Sequence, residues 1–254
     1  MAPHSSRRRF LASSVPAAGA AWLTTAPPGA AKTVPVAPGI KISVQSPADP
    51  PADYIRFLKQ LGVEYVNVGS PKDMRSAEGF SAIKQRYQSQ GIKVWNIGNT
   101  SVHNMEEVTL NLPGRDQKIA EYKQYLRNLA AAGIYYTTYA HMGNGIWSSA
   151  RTETRGAATR QFDMNDPNKA GTWDGKTWKE PLSHGREFTE QEIWDNYTYF
   201  IKQVVPLAEE LGIRIGIHPD DPPAPKLAGV PRPIFSSFDG YRRALEIAGS
   251  PNIG

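Results

Sequence analysis

Ile213-Arg214-Ile215-Gly216-Ile217-His218-Pro219-Asp220-Asp221-Pro222-Pro223 is a short apolar run that stops at a histidine, two acids and three prolines. An apolar run of this length reads as a buried strand. Proline has no N–H and fixes φ, so the Pro-Asp-Asp-Pro-Pro turn holds its side chains with little freedom before any ligand arrives. A strand opening into a rigid polar loop is how a barrel of alternating strands and helices presents a catalytic or ligand-binding group at its C-terminal face. His218 is therefore the first candidate of the chain, with a hydrogen-bonded histidine near the core as the plain alternative.

The same cadence recurs upstream. An amphipathic segment, a glycine and an apolar run appear as Leu61-Gly62-Val63 into Tyr65–Val68 and as Gln90-Gly91-Ile92 into Val94–Ile97. They return as Ala132-Gly133-Ile134 into Tyr135–Tyr139, and as Leu211-Gly212-Ile213 into Ile217. Glycine just past a helix end accepts the left-handed conformation that closes the helix, and the run behind it suits a buried parallel strand. Ile193, Tyr197, Phe200, Val204, Leu207 and Leu211 share one helical face, with a kink expected at Pro206; Ile119, Tyr122, Leu126 and Leu129 share another. Alternating helices and parallel strands leave a closed barrel or an open doubly wound sheet. No Gly-x-Gly-x-x-Gly run follows a strand, which counts against a dinucleotide-binding sheet and favours the barrel.

Two stretches break the rhythm. Residues 140–190 carry Trp147, Trp173 and Trp178 among many Gly, Asn, Asp and Arg residues, with little helical or strand periodicity. So long an insertion reads as a lid or substrate-binding element, because tryptophans are costly to leave in water. At the other end Asp239–Ala248 reads as a helix, and Gly249–Gly254 opens what would be the next strand. Eight strands close such a barrel, whereas about five to six βα units fit between Ile40 and Gly254. The fold class expected is α/β, a (β/α)8 TIM barrel incomplete over these residues, with residues 32–254 the N-terminal part of a catalytic domain. Such a fragment is expected to be inactive alone.

Residues 1–31 read as an address. Ser6-Arg7-Arg8-Arg9-Phe10-Leu11 precedes an alanine-rich, mildly apolar run to Leu23, and Gly29 and Ala31 offer a cleavage site before Lys32. This is the order of a twin-arginine export signal, which implies the twin-arginine translocase during export and a periplasmic or secreted protein. That route carries proteins folded before export, which favours a bound metal. Three of the five net positive charges belong to Arg7, Arg8 and Arg9, so the remainder is close to neutral. Nothing there calls for nucleic acid, or for a membrane once the signal is removed. With no cysteine, the chain offers only nitrogen and oxygen donors to a metal, which points to a hard or borderline divalent ion.

The chain resembles the mannonate dehydratases. The resemblance is carried by Tyr122–Ala130 with Gly133-Ile134, by Val205–Glu210 and above all by His218-Pro219-Asp220-Asp221-Pro222-Pro223, extended by Leu227, Gly229 and Pro231-Arg232. It implies a metal-dependent hydro-lyase of hexuronate catabolism that takes water from D-mannonate to give 2-dehydro-3-deoxy-D-gluconate with Mn2+ or Fe2+. It also implies that His218 is a metal ligand, and that His103, in the pair Val102-His103, meets the substrate. The family's arginine after the proline run is replaced by Ala224, and its Tyr-Asn-Phe-Met by Tyr139-Ala140-His141-Met142, changes that bear on which sugar acid is bound.

Asp220 and Asp221 remain open between catalytic work, acceptance of the second His218 nitrogen's proton, a hydroxyl contact, and simply capping the loop. Arg232 suits a substrate carboxylate through its planar fork. His141 follows a strand, as His103 does, and is a weaker candidate for substrate contact. The partner implied is a small-molecule sugar acid, with a homo-oligomer as a further possibility. Two rival readings share the residues: a xylose-isomerase-like sugar isomerase or epimerase, and an exported sugar-acid binding protein without catalysis.

Overall fold

A computed structural model of the chain describes residues 32–35 and 38–254. The export signal expected over residues 1–31 lies outside the described residues. The first half runs β1 (Ser43–Pro47), α1 (Ala52–Gln60), β2 (Tyr65–Gly69), α2 (Ala77–Gln88), β3 (Lys93–Gly98), α3 (Thr100–His103), α4 (Glu106–Thr109), α5 (Arg115–Ala131) and β4 (Tyr136–Tyr139). An insertion follows with β5 (Ile146–Ser148), β6 (Ala150–Thr154), β7 (Ala157–Gln161), β8 (Ala170–Trp173) and β9 (Lys176–Lys179). The chain returns through α6 (Glu190–Leu211), β10 (Arg214–Ile217), the short β11 (Lys226–Leu227) and β12 (Val230–Pro231), and α7 (Phe238–Ala248).

The βα cadence is realised as parallel pairing. β1, β2 and β3 form one ladder, with Val44 opposite Val66 and Val66 opposite Val94. β4 pairs with β10, Thr137 lying opposite Ile215. Between the two ladders Tyr125 of α5 acts as a stitch: its hydroxyl meets the Ile97 carbonyl of β3 and lies 2.8 Å from Thr137 Oγ1 of β4. Beyond β10, Ile253 bridges Ile215 in parallel and the Ile217 N–H donates to the Gly254 carbonyl, so a further strand position opens where the sequence placed it. The described residues form no closed barrel.

Local chemistry explains the helix ends. α6 begins with a capping box in which Thr189 and Glu192 satisfy each other's backbone N–H groups, and ends at Gly212, whose φ of 71° carries the left-handed turn. The helix continues through Pro206 as one element. Pro206 and Lys202 both lie on the exposed face, where water can serve the carbonyl that proline leaves without a partner. The opposite face buries Tyr197, Phe200 and Val204, with Phe200 packed against Tyr122 and Tyr139. Each such side chain contributes about 1.5–3 kcal/mol relative to exposure. No helix among the described residues is long and apolar enough to cross a membrane.

The insertion departs from the expectation of little regular structure. β5, β8 and β9 form an antiparallel sheet, and β6 and β7 form a hairpin whose residues are all exposed. Trp147 and Trp178 make a small core with Ala224, Leu227 and Ala228, which follow the His-Pro-Asp-Asp-Pro-Pro loop. The insertion and that loop are thus packed as one body. Gly171 marks how tightly: a Cβ there would collide with the Asn144 carbonyl and the Trp147 indole.

Candidate active site

Two strand ends bring two imidazoles together. His103 closes α3, just after β3, and His218 follows β10, its N–H donating to the Tyr139 carbonyl at 2.9 Å. Their ring centroids lie 5.6 Å apart with the planes perpendicular. Each ring is anchored through the same nitrogen. His103 Nδ1 is 3.1 Å from the Thr138 carbonyl and His218 Nδ1 is 2.6 Å from the Pro219 carbonyl. A carbonyl only accepts, so both protons sit on Nδ1 and both Nε2 lone pairs are left for a ligand or a reacting proton. Burial first, then the neighbouring His218, lowers the His103 pKa to about 4, with the bond to Thr138 opposing. At neutral pH His103 is an uncharged base.

A third ring comes from the insertion. Trp173, at the end of β8, lies 5.7 Å from His103 with the rings inclined at 31°. The tip behind it is held to the loops that follow β2 and β3: Asp174 pairs with Lys72 at 2.6 Å and accepts from Thr100 Oγ1 at 3.3 Å. The insertion therefore reaches the strand ends that carry the histidines. Its tryptophans were visible in the sequence, but which of them would meet His103 was not.

The remaining sequence candidates are Asp220, Asp221, Arg232 and His141. Asp221 is bound on both sides, its carboxylate 2.7 Å from Arg160 Nη2 and its carbonyl accepting from Trp147 N and Arg232 Nη1. Asp220 is buried, with Oδ1 unpartnered among the described residues. Burial raises its pKa to about 7, against the pull of Arg232 and of the Phe235 backbone. Arg232, expected to face a substrate carboxylate, is only 2% exposed. Its Nη2 donates to Asn144 Oδ1 at 2.9 Å and to the Gly145 carbonyl at 2.5 Å, so its terminal nitrogens hold loops together, while Nε has no partner among the described residues. Burial lowers its pKa to about 10. His141, the weaker candidate for substrate contact, is likewise interior: it packs edge-on against Tyr197 at 5.7 Å, and burial lowers its pKa to about 3. The sequence placed His141 after a strand, as it is, yet strand-end position alone does not say whether a side chain turns toward the mouth or into the helix layer.

Comparison with known proteins settles the family. The family model for D-mannonate dehydratase (UxuA) matches residues 54–254. The chain belongs to the mannonate dehydratase family. It is 30% identical over 193 residues to mannonate dehydratase 2 of Halalkalibacterium halodurans, covering 70% of this chain and 55% of that one. With a mannonate dehydratase of Streptococcus agalactiae it is 32% identical over 197 residues, at the same coverage. The chain thus spans about half the length of the curated relatives it matches. The crystal structure of a mannonate dehydratase from Streptococcus suis serotype 2 shares the fold, with a TM-score of 0.66 and 23% identity over 85% of this chain and 63% of that one. A D-psicose 3-epimerase structure shares it more loosely, with a TM-score of 0.51 and 13% identity.

Within this mannonate dehydratase family chain, the donors for a metal can be counted. Among the described residues no three His, Cys, Asp or Glu side chains lie close enough to hold an ion. His103 and His218 present two free Nε2 atoms; Asp221 is engaged by Arg160. Two imidazoles fall short of the donor set that a divalent ion of the manganese or iron type requires. The described residues do not make a metal centre by themselves.

Proposed function

We propose that this chain carries part of the catalytic mouth of a hydro-lyase that removes water from D-mannonate to give 2-dehydro-3-deoxy-D-gluconate. Its family membership and the paired, free Nε2 atoms of His103 and His218 support the reading. The reaction takes a proton from carbon 2, expels the carbon 3 hydroxyl as water and leaves an enol that becomes the 2-keto acid. Carbon 2 beside a carboxylate is a weak acid, so the proton needs a base that is neutral and positioned. His103 is both: its low pKa keeps it unprotonated at neutral pH, and the Thr138 carbonyl fixes the tautomer that points a lone pair outward. In this proposal His103 Nε2 accepts the carbon 2 proton, and the imidazolium so formed gives it to the departing carbon 3 hydroxyl, which leaves as water. Trp173 limits water around that nitrogen.

His218 Nε2 is the donor this chain offers to a manganese or ferrous ion, a role that rests on the sequence resemblance, and no catalytic step is assigned to the ion. Export through the twin-arginine route, from the arginines ahead of Phe10, belongs to the same proposal. The test is formation of 2-keto acid from D-mannonate by the full-length protein. His103→Gln keeps a polar side chain of similar reach, and its kcat should fall by about 100-fold or more with a smaller change in KM. Turnover of D-mannonate unaffected by that change would remove His103 from the chemistry, and absence of turnover in the unaltered protein would remove the reading.

A further inference from the structure

The β6–β7 hairpin stands out from the rest of the chain. Every residue of both strands is exposed, and the two strands pair only with each other. A two-stranded hairpin with no covering layer is marginal in water, and an open strand edge is a template for another strand. Its charges add to the demand for a partner. Arg151 lies opposite Arg160, a like-charged pair that weakens the hairpin on its own. Arg160 is answered by Asp221, whereas Arg151 and Glu153 have no oppositely charged partner among the described residues.

The turn fixes which backbone groups face outward. Arg155 and Gly156 form a two-residue loop with φ of 53° and 78°, so Thr154 and Ala157 close it as a hydrogen-bonded pair. Hydrogen-bonded and non-hydrogen-bonded pairs alternate along an antiparallel ladder. Ala150 and Thr152 therefore turn their N–H and C=O toward β7, while Arg151 and Glu153 turn theirs to the outer edge of β6. Those groups have no backbone partner among the described residues. The same two residues carry the charges of the strand, one of each sign, and no proline or lysine blunts the edge. If β6 pairs with another β6 about a two-fold axis, centring on Arg151 or on Glu153 sets identical charges face to face. Centring on Thr152 sets Arg151 opposite Glu153 of the second copy, twice over, and brings together the backbone groups that the edge leaves free. Backbone parity and charge select the same register independently.

We propose that the outer edge of β6 is an interaction surface for a second copy of this chain, the two β6 strands pairing antiparallel about Thr152 and joining the two hairpins into one four-stranded sheet. Arg151 exchanges backbone hydrogen bonds with Glu153 of the second copy, and their side chains form an ion pair on one face of that sheet. The contact is isologous, so its own symmetry closes it at two copies. It rests on the hairpin alone and holds whether or not the histidine pair performs the dehydration proposed above. A strand of 5 residues from each copy makes a contact smaller than a stable interface, so the dimer is weak and its population follows concentration.

Sedimentation velocity of the full-length protein across a hundredfold range of concentration reads the dimer. R151E and E153R each set like charges opposite one another across the axis, and each should weaken association by about tenfold or more. R151E also removes the clash with Arg160, so association lost in that variant is not a loss of the hairpin. An equimolar mixture of R151E and E153R puts opposite charges back at both positions, and should dimerise where neither variant does alone. The register is read by cross-linking. The chain has no cysteine, so T152C places one thiol of each copy on the axis, with Cα atoms about 4.5 Å apart and within disulfide reach, whereas T154C lies about 13 Å from its copy. Mild oxidation should cross-link T152C and leave T154C monomeric. A monomer at every concentration overturns the proposal. Dimers that survive both single changes, or T154C cross-linking as fast as T152C, overturn it too, because association then uses another surface. So does a mixture that fails to recover what each variant lost, which would assign the edge to a strand of a different protein.

Discussion

Arg160 Nη2 lies 2.7 Å from Asp221 Oδ2, joining the exposed β6–β7 hairpin of the insertion to the loop that follows His218. Both side chains keep substantial contact with solvent, 47% and 36%. An ion pair so placed is worth about 0–1 kcal/mol. Its larger effect is to hold one end of the hairpin. Arg160→Ala should leave the thermal midpoint nearly unchanged while making residues 150–161 more susceptible to limited proteolysis. A fall in stability of several kcal/mol would show that the hairpin is integral to the fold.

Arg232 presents the opposite case. It is buried, and its terminal nitrogens bind Asn144 Oδ1 and the carbonyls of Gly145 and Asp221. Those three acceptors come from the insertion and from the Asp-Asp loop, so one guanidinium fixes both segments. Arg232→Met leaves the acceptors buried and unanswered, and should cost about 3–5 kcal/mol in urea denaturation. Arg232→Lys cannot reproduce the planar fork and should recover only part of that loss.

The repeated glycine-to-strand junctions made the parallel ladders legible because chain reversal and strand burial both leave local marks. Gly62, Gly91, Gly133 and Gly212 all take positive φ, as helix closure at those points requires. The insertion was harder to read because β6 and β7 are exposed on both faces and carry no alternation of apolar and polar residues. Its turns were nevertheless written in the sequence: Arg155-Gly156 and Asp174-Gly175 hold positive φ at both positions, as a tight hairpin turn demands. Among the site candidates, His103 and His218 were expected after strands, and the structure brings their rings together. The interior positions of Arg232 and His141 follow from packing between segments far apart in the chain, which local pattern does not encode.

Burial makes His141 a contributor to acid sensitivity. Its pKa is about 3 in the folded protein against an ordinary value of 6.5. Between those values the unfolded chain binds a proton that the folded one refuses, so stability is full above pH 6.5 and falls as the pH drops toward 3. His103, held at about 4, acts in the same direction. Asp220 acts oppositely. Its folded pKa of about 7 exceeds its ordinary value of 3.8, so its contribution is present below 3.8 and lost as the pH rises through 7. His141→Gln should therefore flatten the loss of stability between pH 6.5 and pH 4 by an amount on the order of 3 kcal/mol. Denaturation midpoints of both proteins across that range provide the check, and parallel curves would show that His141 is solvated in solution.

Asp174 stands at the junction of backbone strain and lid placement. It takes φ of 50°, in the left-handed region, and its carboxylate pairs with Lys72 at 2.6 Å. Asparagine tolerates that conformation nearly as well, so Asp174→Asn isolates the charge, whereas Asp174→Ala adds conformational strain. The core of the insertion around Trp147 and Trp178 does not involve Asp174, so neither change should unfold it. What Asp174→Asn removes is the hold on the loop after β2, and with it the restraint that keeps Trp173 over His103. Amide exchange at residues 172–177 should accelerate by about three- to tenfold in Asp174→Asn, a loss of about 1 kcal/mol of local protection, with exchange in α5 and α6 unchanged. Faster exchange in those helices as well would mean that the tip supports the whole fold. Unchanged exchange at the tip would mean that the Trp173 contact with His103, together with the bonds of β8 to β5 and β9, holds it without the ion pair.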